Sequence, residues 1–266
     1  MEISEAVKKR LCILAQKYET ADFYKNDPSM ILHRYENSSD TEIAAFIMAL
    51  LSFGRRDLFL RKARLIFDMA GHHPAAWIQS GQWRSDFPSG ASKFYRFYSY
   101  DDMRNVFINL QSILQRGASL GEYIKTLYEA ECGKCNSPAE QAPYVPEVQN
   151  SSVHLDCVIS SVFENCRAVP RAAQSANKRI NMFLRWMVRN GSPVDAGLWT
   201  WFSPRNLIIP LDTHVLQESI NLGLIPQNSK GTRKTAVAIT AALQQIWPDD
   251  PCRGDFALFG LGVSEN

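Results

Sequence analysis

Along almost the whole chain the apolar positions recur every three or four residues. Ile3, Val7, Leu11, Leu14 and Tyr18 form one such stripe, Ile43, Phe46, Ile47 and Leu50 another, and Val106, Ile108, Leu110, Ile113 and Leu114 a short apolar run of helical character. This spacing gathers side chains on one face of an α-helix, so each stripe predicts a helix that turns that face toward a core. Further helices are expected at roughly 56–70, 119–130, 153–166, 176–190, 212–222, 231–246 and 251–260. No segment sustains a period-two alternation between hairpin turn signals, so no sheet is expected and the fold class is all-α. Residues 131–150, "ECGKCNSPAEQAPYVPEVQN", hold three prolines and no helical period. They read as a long loop that divides an N-terminal helical part, 1–130, from a second part, 151–266.

Two helix starts carry candidate chemistry. The segment "SANKRINMFLRWMVRN" has an ordinary core stripe of Ile180, Phe183, Leu184, Met187 and Val188. A second stripe, Lys178, Met182, Arg185, Trp186 and Arg189, combines charge with an aromatic ring and a thioether. Such a face suits phosphates and a base plane, and equally suits solvent with long side chains lying along the surface. Lys178 falls in the first turn, where the helix dipole disfavours an ammonium. A lysine at that address is a candidate amine nucleophile, although structural lysines are far commoner. Asp212, in "IIPLDTHVLQESINLGLI", stands at the complementary address, just ahead of a helix whose free amides a carboxylate can cap. Capping alone is worth about 1 kcal/mol. The same carboxylate, shielded by Ile208, Ile209, Pro210 and Leu211, is also placed to stabilise a forming cation or to accept an amine proton.

Composition narrows the class without choosing a function. Hydrophobic residues make up 45% and charged residues 21% of 266, the balance of an ordinary folded protein, which excludes a disordered or collagen-like chain. The apolar runs are too short for a spanning helix, and "MEISEAVKKR" lacks an apolar signal core, so a cytoplasmic protein with no membrane partner is expected. The six cysteines form no even framework. Cys132 and Cys135 make one CxxC, which supplies two ligands where zinc takes four, so the pair reads as ordinary loop and no metal is expected. The net charge of +2 is unevenly spread. Between Asn165 and Val194 stand Arg167, Arg171, Lys178, Arg179, Arg185 and Arg189 with no acid among them, and "GRRDLFLRKAR" holds five bases against one acid. Two basic segments in a near-neutral chain suggest an anionic partner along one surface.

These segments also resemble a known superfamily. "LDTHVLQESINLGLI" is similar to the part of helix-hairpin-helix DNA glycosylases where a "VDTHV" pattern leads into a helix ending in "RLGL". In that superfamily the aspartate of the pattern is the essential carboxylate, and bifunctional members place an upstream lysine that attacks the sugar. Endonuclease III types keep that lysine closer to the aspartate than the 34 residues separating Lys178 from Asp212. The longer spacing is similar to the archaeal 8-oxoguanine glycosylase branch, where a base-stacking residue follows the lysine by four positions and an Asp near the C-terminus precedes an aromatic by four. Met182, and Asp255 with Phe259 in "DFALF", match those positions. "SANKRINMFLRWMVR" and "DFALFGLGV" resemble, in addition, an uncharacterised bacterial domain family of similar length.

The resemblance implies two helical subdomains with a cleft between them, and a monomer acting on damaged double-stranded DNA with no cofactor. It makes Lys178 and Asp212 catalytic, and Met182, Trp186, Asp255 and Phe259 base-binding. Arg55, Arg56, Arg171, Arg179, Arg185, His33 and Arg34 become DNA contacts. The chain departs from the pattern in three places, the first being a stacking position that holds Met182 and not an aromatic. "VPRAAQSANKR" replaces the glycine-rich hairpin of many relatives, and only Cys252 stands where endonuclease III types carry a four-cysteine iron-sulfur cluster. A non-catalytic DNA-binding module, and a monofunctional glycosylase for another base such as an alkylated one, are the alternative readings.

Overall fold

The computed structural model describes residues 3–135, 153–172 and 175–264. It is helical nearly throughout. The α-helices are α1 (Glu5–Tyr18), α2 (Ser38–Leu51), α3 (Arg56–Ala70), α4 (Pro74–Ser80), α5 (Trp83–Asp86), α6 (Tyr100–Leu114), α7 (Leu120–Cys135), α8 (Leu155–Val162), α9 (Lys178–Val188), α10 (Thr213–Asn221), α11 (Arg233–Leu243) and α12 (Gly254–Ser264). The all-α class holds with one addition, a two-stranded antiparallel hairpin of β1 (Lys93–Tyr95) and β2 (Tyr98–Ser99). Its strands are too short to show an alternation in the sequence. Helix α7 runs through Cys135, so the expected loop begins later than residue 131, and its remainder, 136–150, lies outside the described residues. No helix among the described residues is long and apolar enough to cross a membrane.

Helix α2 is the axis of the larger of two hydrophobic cores. Its residues are apolar on every side, the mark of a helix surrounded by others, and Asp40 through Leu51 are all buried. Helices α3, α4, α7 and α9 pack around it. The smaller core joins the two ends of the chain: Leu11 and Ala15 of α1 pack with Val215 of α10, Ile239 and Leu243 of α11, and Ala257, Leu258 and Leu261 of α12. Gly260 makes the α1–α12 approach possible, since a Cβ there would run into the Tyr18 ring. The stretch 131–150 therefore does not separate the cores. α9 lies beyond it and belongs to the first core, whereas α1 lies before it and belongs to the second.

One polar group inside the first core has a measurable signature. Glu42 on α2 is 4% exposed and accepts hydrogen bonds from the Trp199 indole N–H at 2.8 Å and the Gly121 N–H at 3.2 Å. Burial pushes its carboxyl above the ordinary value of 4.5, and these two donors offset only part of that cost. A carboxyl raised in the folded state favours folding most below its unfolded value, and that contribution is lost as pH rises through the folded value. Denaturant titrations between about pH 4 and 7 are therefore expected to show the stability of the wild type falling relative to Glu42→Gln as pH rises. A parallel pH dependence in the two proteins would contradict the assignment.

Candidate active site

The start of α9 is fixed by side chains reaching back to α8. Asn177, the N-cap, takes a left-handed backbone at φ 51°, which a short amide side chain tolerates better than most residues. Its Nδ2 donates to Asp156 Oδ2 at 3.1 Å and Ser160 Oγ at 3.2 Å, and Asp156 also binds the guanidinium of Arg233 on α11. Asp156 thus ties the first turn of α9 to the second core. Lys178 comes next, one-third exposed, with its Nζ 3.5 Å from Asp212 Oδ2.

Asp212 reaches that point along a buried extended segment. Ile208, Ile209 and Leu211 are packed in the second core, and the Ile209 N–H donates to Thr240 Oγ1 at 3.0 Å. Asp212 then caps α10, its Oδ1 accepting the Val215 N–H at 2.9 Å. The cap occupies one carboxylate oxygen and leaves the other facing the amine. A single side chain thus caps α10 and pairs with the amine. Both helix starts direct their positive dipole ends at this point, an electrostatic address that suits an anion.

Both groups open onto one pocket of about 720 Å³, a size ordinary for a small-molecule or single-nucleotide site. Its walls come from both cores. Met182, Asp255 and Phe259 line it, as do Arg56, Arg179 and Arg185. Phe259 meets Phe23 edge-on with ring centroids 5.0 Å apart, and Phe23 meets Phe256 the same way at 5.1 Å. Phe23, Phe53, Phe59, Asp27 and His214 are lining residues that the sequence did not mark. Nothing local distinguishes those aromatics from core residues. Asp27 is readable as the cap it is, accepting the Ser29 N–H at 3.0 Å ahead of the 3₁₀ turn Pro28–His33, but not as a pocket wall. His214 is within reach of sequence reasoning, since it belongs to "DTHV" itself.

The arginines of α9 require a correction. Helix α9 is buried from Ile180 to Val188, so its second stripe is no exposed DNA-binding face. Arg185 binds Asp195 at 3.2 Å and Asp255, and Arg189 binds Asp195 at 2.5 Å, Asp250 at 2.8 Å and Glu19 at 2.5 Å. Both guanidiniums lie over the Phe256 ring. Arg185 lines the pocket as a buried side chain paired with Asp255. Trp186 is fully buried in the first core and does not line the pocket. Burial raises the Asp255 carboxyl, and although Arg185 pulls it back down, the nearby Asp212 carboxylate adds to the rise. The Asp195 carboxyl is likewise raised by burial against the pull of Arg185 and Arg189. Removing one partner from such a network leaves buried charge uncompensated. Arg189→Met is expected to lower the unfolding free energy by about 3–5 kcal/mol in urea titrations, a loss out of proportion to its volume change.

The other expected DNA contacts are dispersed. Arg56 lines the pocket 3.8 Å from Asp27. Arg179 also lines it, but its Nη1 is committed inward to the Leu50 carbonyl at 2.8 Å and to the Tyr98 hydroxyl. Arg171 is exposed beside a second, shallower depression that also takes in Arg167 and Arg179. Arg55 pairs with Asp57 at 2.8 Å on the surface. His33 bonds the Val194 carbonyl at 3.0 Å, and Arg34 lies over Tyr35; both are outside the pocket.

A helical protein with a lysine and an N-cap aspartate paired at the mouth of an aromatic-walled pocket is the class of molecule these features define. The chain belongs to the family described as protein of unknown function (DUF2400), whose model matches residues 27–264. No curated protein and no solved structure is similar enough to the chain to count as a match.

Proposed function

We propose that the protein is a DNA repair glycosylase with AP-lyase activity, excising 8-oxoguanine or a related oxidised base. The observation that carries this reading is the 3.5 Å approach of Lys178 Nζ to Asp212 Oδ2 at the edge of a nucleotide-sized pocket. Proton transfer needs hydrogen-bond reach or one bridging water, and the fold brings the amine to within 3.5 Å of the carboxylate although 34 residues separate them in sequence. Two cores meeting around one pocket support a glycosylase-like arrangement of two helical subdomains. The exposed Arg167 and Arg171 line the second depression, which shares Pro170, Ser175 and Arg179 with the pocket, and supply charge for a phosphate backbone.

In this reading a damaged nucleotide leaves the duplex and enters the pocket. Phe259 and Met182 hold the base between an aromatic ring and a thioether, with Asp255 accepting a hydrogen bond from its edge. Lys178 gives its proton to Asp212 and attacks C1′ while the C1′–N bond breaks and the base departs with the bonding pair. Asp212 passes that proton to the departing base, and its restored carboxylate balances the positive charge on the sugar. Ring opening yields a Schiff base, and loss of a proton from C2′ then breaks the C3′–O bond, cutting the strand on the 3′ side. Water hydrolyses the imine and frees the lysine. The protein would act as a monomer in the cytoplasm on nucleoid DNA.

Borohydride trapping on duplexes carrying 8-oxoguanine, an alkylated base or an abasic site separates this reading from its rivals. A covalent adduct formed by the wild type supports the lyase. Base release without an adduct would make the protein a monofunctional glycosylase assisted by Asp212, and DNA affinity with neither product would make it a binding module.

A further inference from the structure

Where a nucleotide leaves a duplex, the vacated stack must be filled, and base-flipping proteins differ in what they insert. The one hairpin among the described residues stands at the pocket rim with an unusual tip. Its two-residue loop is Arg96-Phe97, joining strands paired at Tyr95 and Tyr98. Arg96 takes φ 54°, a conformation that glycine adopts far more readily, so the tip holds a strained backbone. Burial does not offset that strain, since the second loop residue, Phe97, remains 54% exposed.

Phe97 is nonetheless held in place. Its ring lies 5.0 Å from that of Phe53 at an interplanar angle of 30°, and edge-on to Tyr98 at 4.8 Å. Phe53 in turn carries the Arg179 guanidinium 4.9 Å over its face. Phe53 and Arg179 line the pocket that Lys178 also lines, so an aromatic and cationic stack runs from the exposed ring to the pocket wall. Gly54 seats the hairpin: the Tyr95 hydroxyl bonds the Phe53 carbonyl and would lie 3.0 Å from a Cβ at Gly54, with the Arg96 side chain in ordinary contact at 3.6 Å. Lys93 and Arg96 are exposed on the same hairpin, with Arg55 and Arg56 exposed on the adjoining turn. A supported aromatic ring flanked by cations matches a π-face bordered by phosphates.

We propose that Phe97 is the wedge that enters the duplex where the damaged nucleotide has left it, with Arg96 and Lys93 holding the flanking phosphates. This rests on the glycosylase reading, and it commits the hairpin to a base step of double-stranded DNA. A surface contact with another protein is the competing use of the same ring.

The test uses the full chain and a duplex containing a tetrahydrofuran abasic analogue, with 2-aminopurine opposite it, so that no chemistry is required. The wild type is expected to bind and to change the 2-aminopurine fluorescence. Phe97→Ala is expected to lose that change and to weaken binding about tenfold, within the range that stacking on one aromatic supplies, while Phe97→Trp restores both. An exposed position makes all three proteins comparable in folding, which circular dichroism checks. Wild-type binding with an unchanged signal in Phe97→Ala overturns the wedge and leaves the glycosylase reading standing. Failure of the wild type to bind any abasic or lesion duplex overturns both.

Discussion

Lys178→Ala is expected to abolish the borohydride-trapped adduct and to slow strand cleavage at an abasic site by about 10³-fold or more, the scale of loss when a covalent nucleophile is removed. Folding is expected to survive. The Lys178 side chain is 34% exposed and its ion pair with Asp212 is open to solvent, so the substitution changes stability by no more than about 1 kcal/mol. Lys178→Gln, which keeps the length and polarity of the side chain, is expected to fail equally, because an amide cannot form an imine. Gel separation of the trapped complex and thermal melting of the same preparations check both halves. An adduct persisting at wild-type level in Lys178→Ala would place the nucleophile on another amine.

How the amine comes to face the carboxylate explains which parts of the molecule the sequence disclosed. Lys178 and Asp212 are legible because each sits at a helix start, and helix starts are marked locally by capping residues and by the onset of an apolar period. The distance between them is not legible. It is fixed by Asp156, which holds Asn177 on one side and Arg233 on the other, and no spacing in the chain announces that link. The same limit accounts for the misreading of α9. An arginine on a helix looks solvated until its partners are known, and those of Arg185 and Arg189 come from α12 and from the segments after α1, after α9 and before α12. Four carboxylates scattered from Glu19 to Asp255 turned an apparent nucleic-acid face into a buried network.

That network also shapes the site. Arg185 is anchored to Asp195, which lies outside the pocket, and pairs with Asp255 on the pocket wall, so the group proposed to meet the base edge is held from behind. The aromatic walls show the converse case. Phe259 carries a signal only through its register with Asp255 in "DFALF", whereas Phe23 and Phe53 come from segments whose aromatics look like any core residue. Their role depends on two cores, one of them built from both ends of the chain, closing around the same space.

Asp212 allows the cap and the chemistry to be measured separately. Asparagine is as good an N-cap as aspartate, so Asp212→Asn is expected to keep the hydrogen bond to the Val215 amide and to leave the melting temperature nearly unchanged. Asp212→Ala removes the cap as well and is expected to cost about 1 kcal/mol. Both should slow base excision by about 10²–10⁴-fold, because neither can accept the lysine proton or balance the charge developing on the sugar. Activity and stability would then move independently across the two variants. Asp212→Asn retaining wild-type excision with the stability intact would reduce Asp212 to its capping role, and the 3.5 Å approach to Lys178 to a surface ion pair.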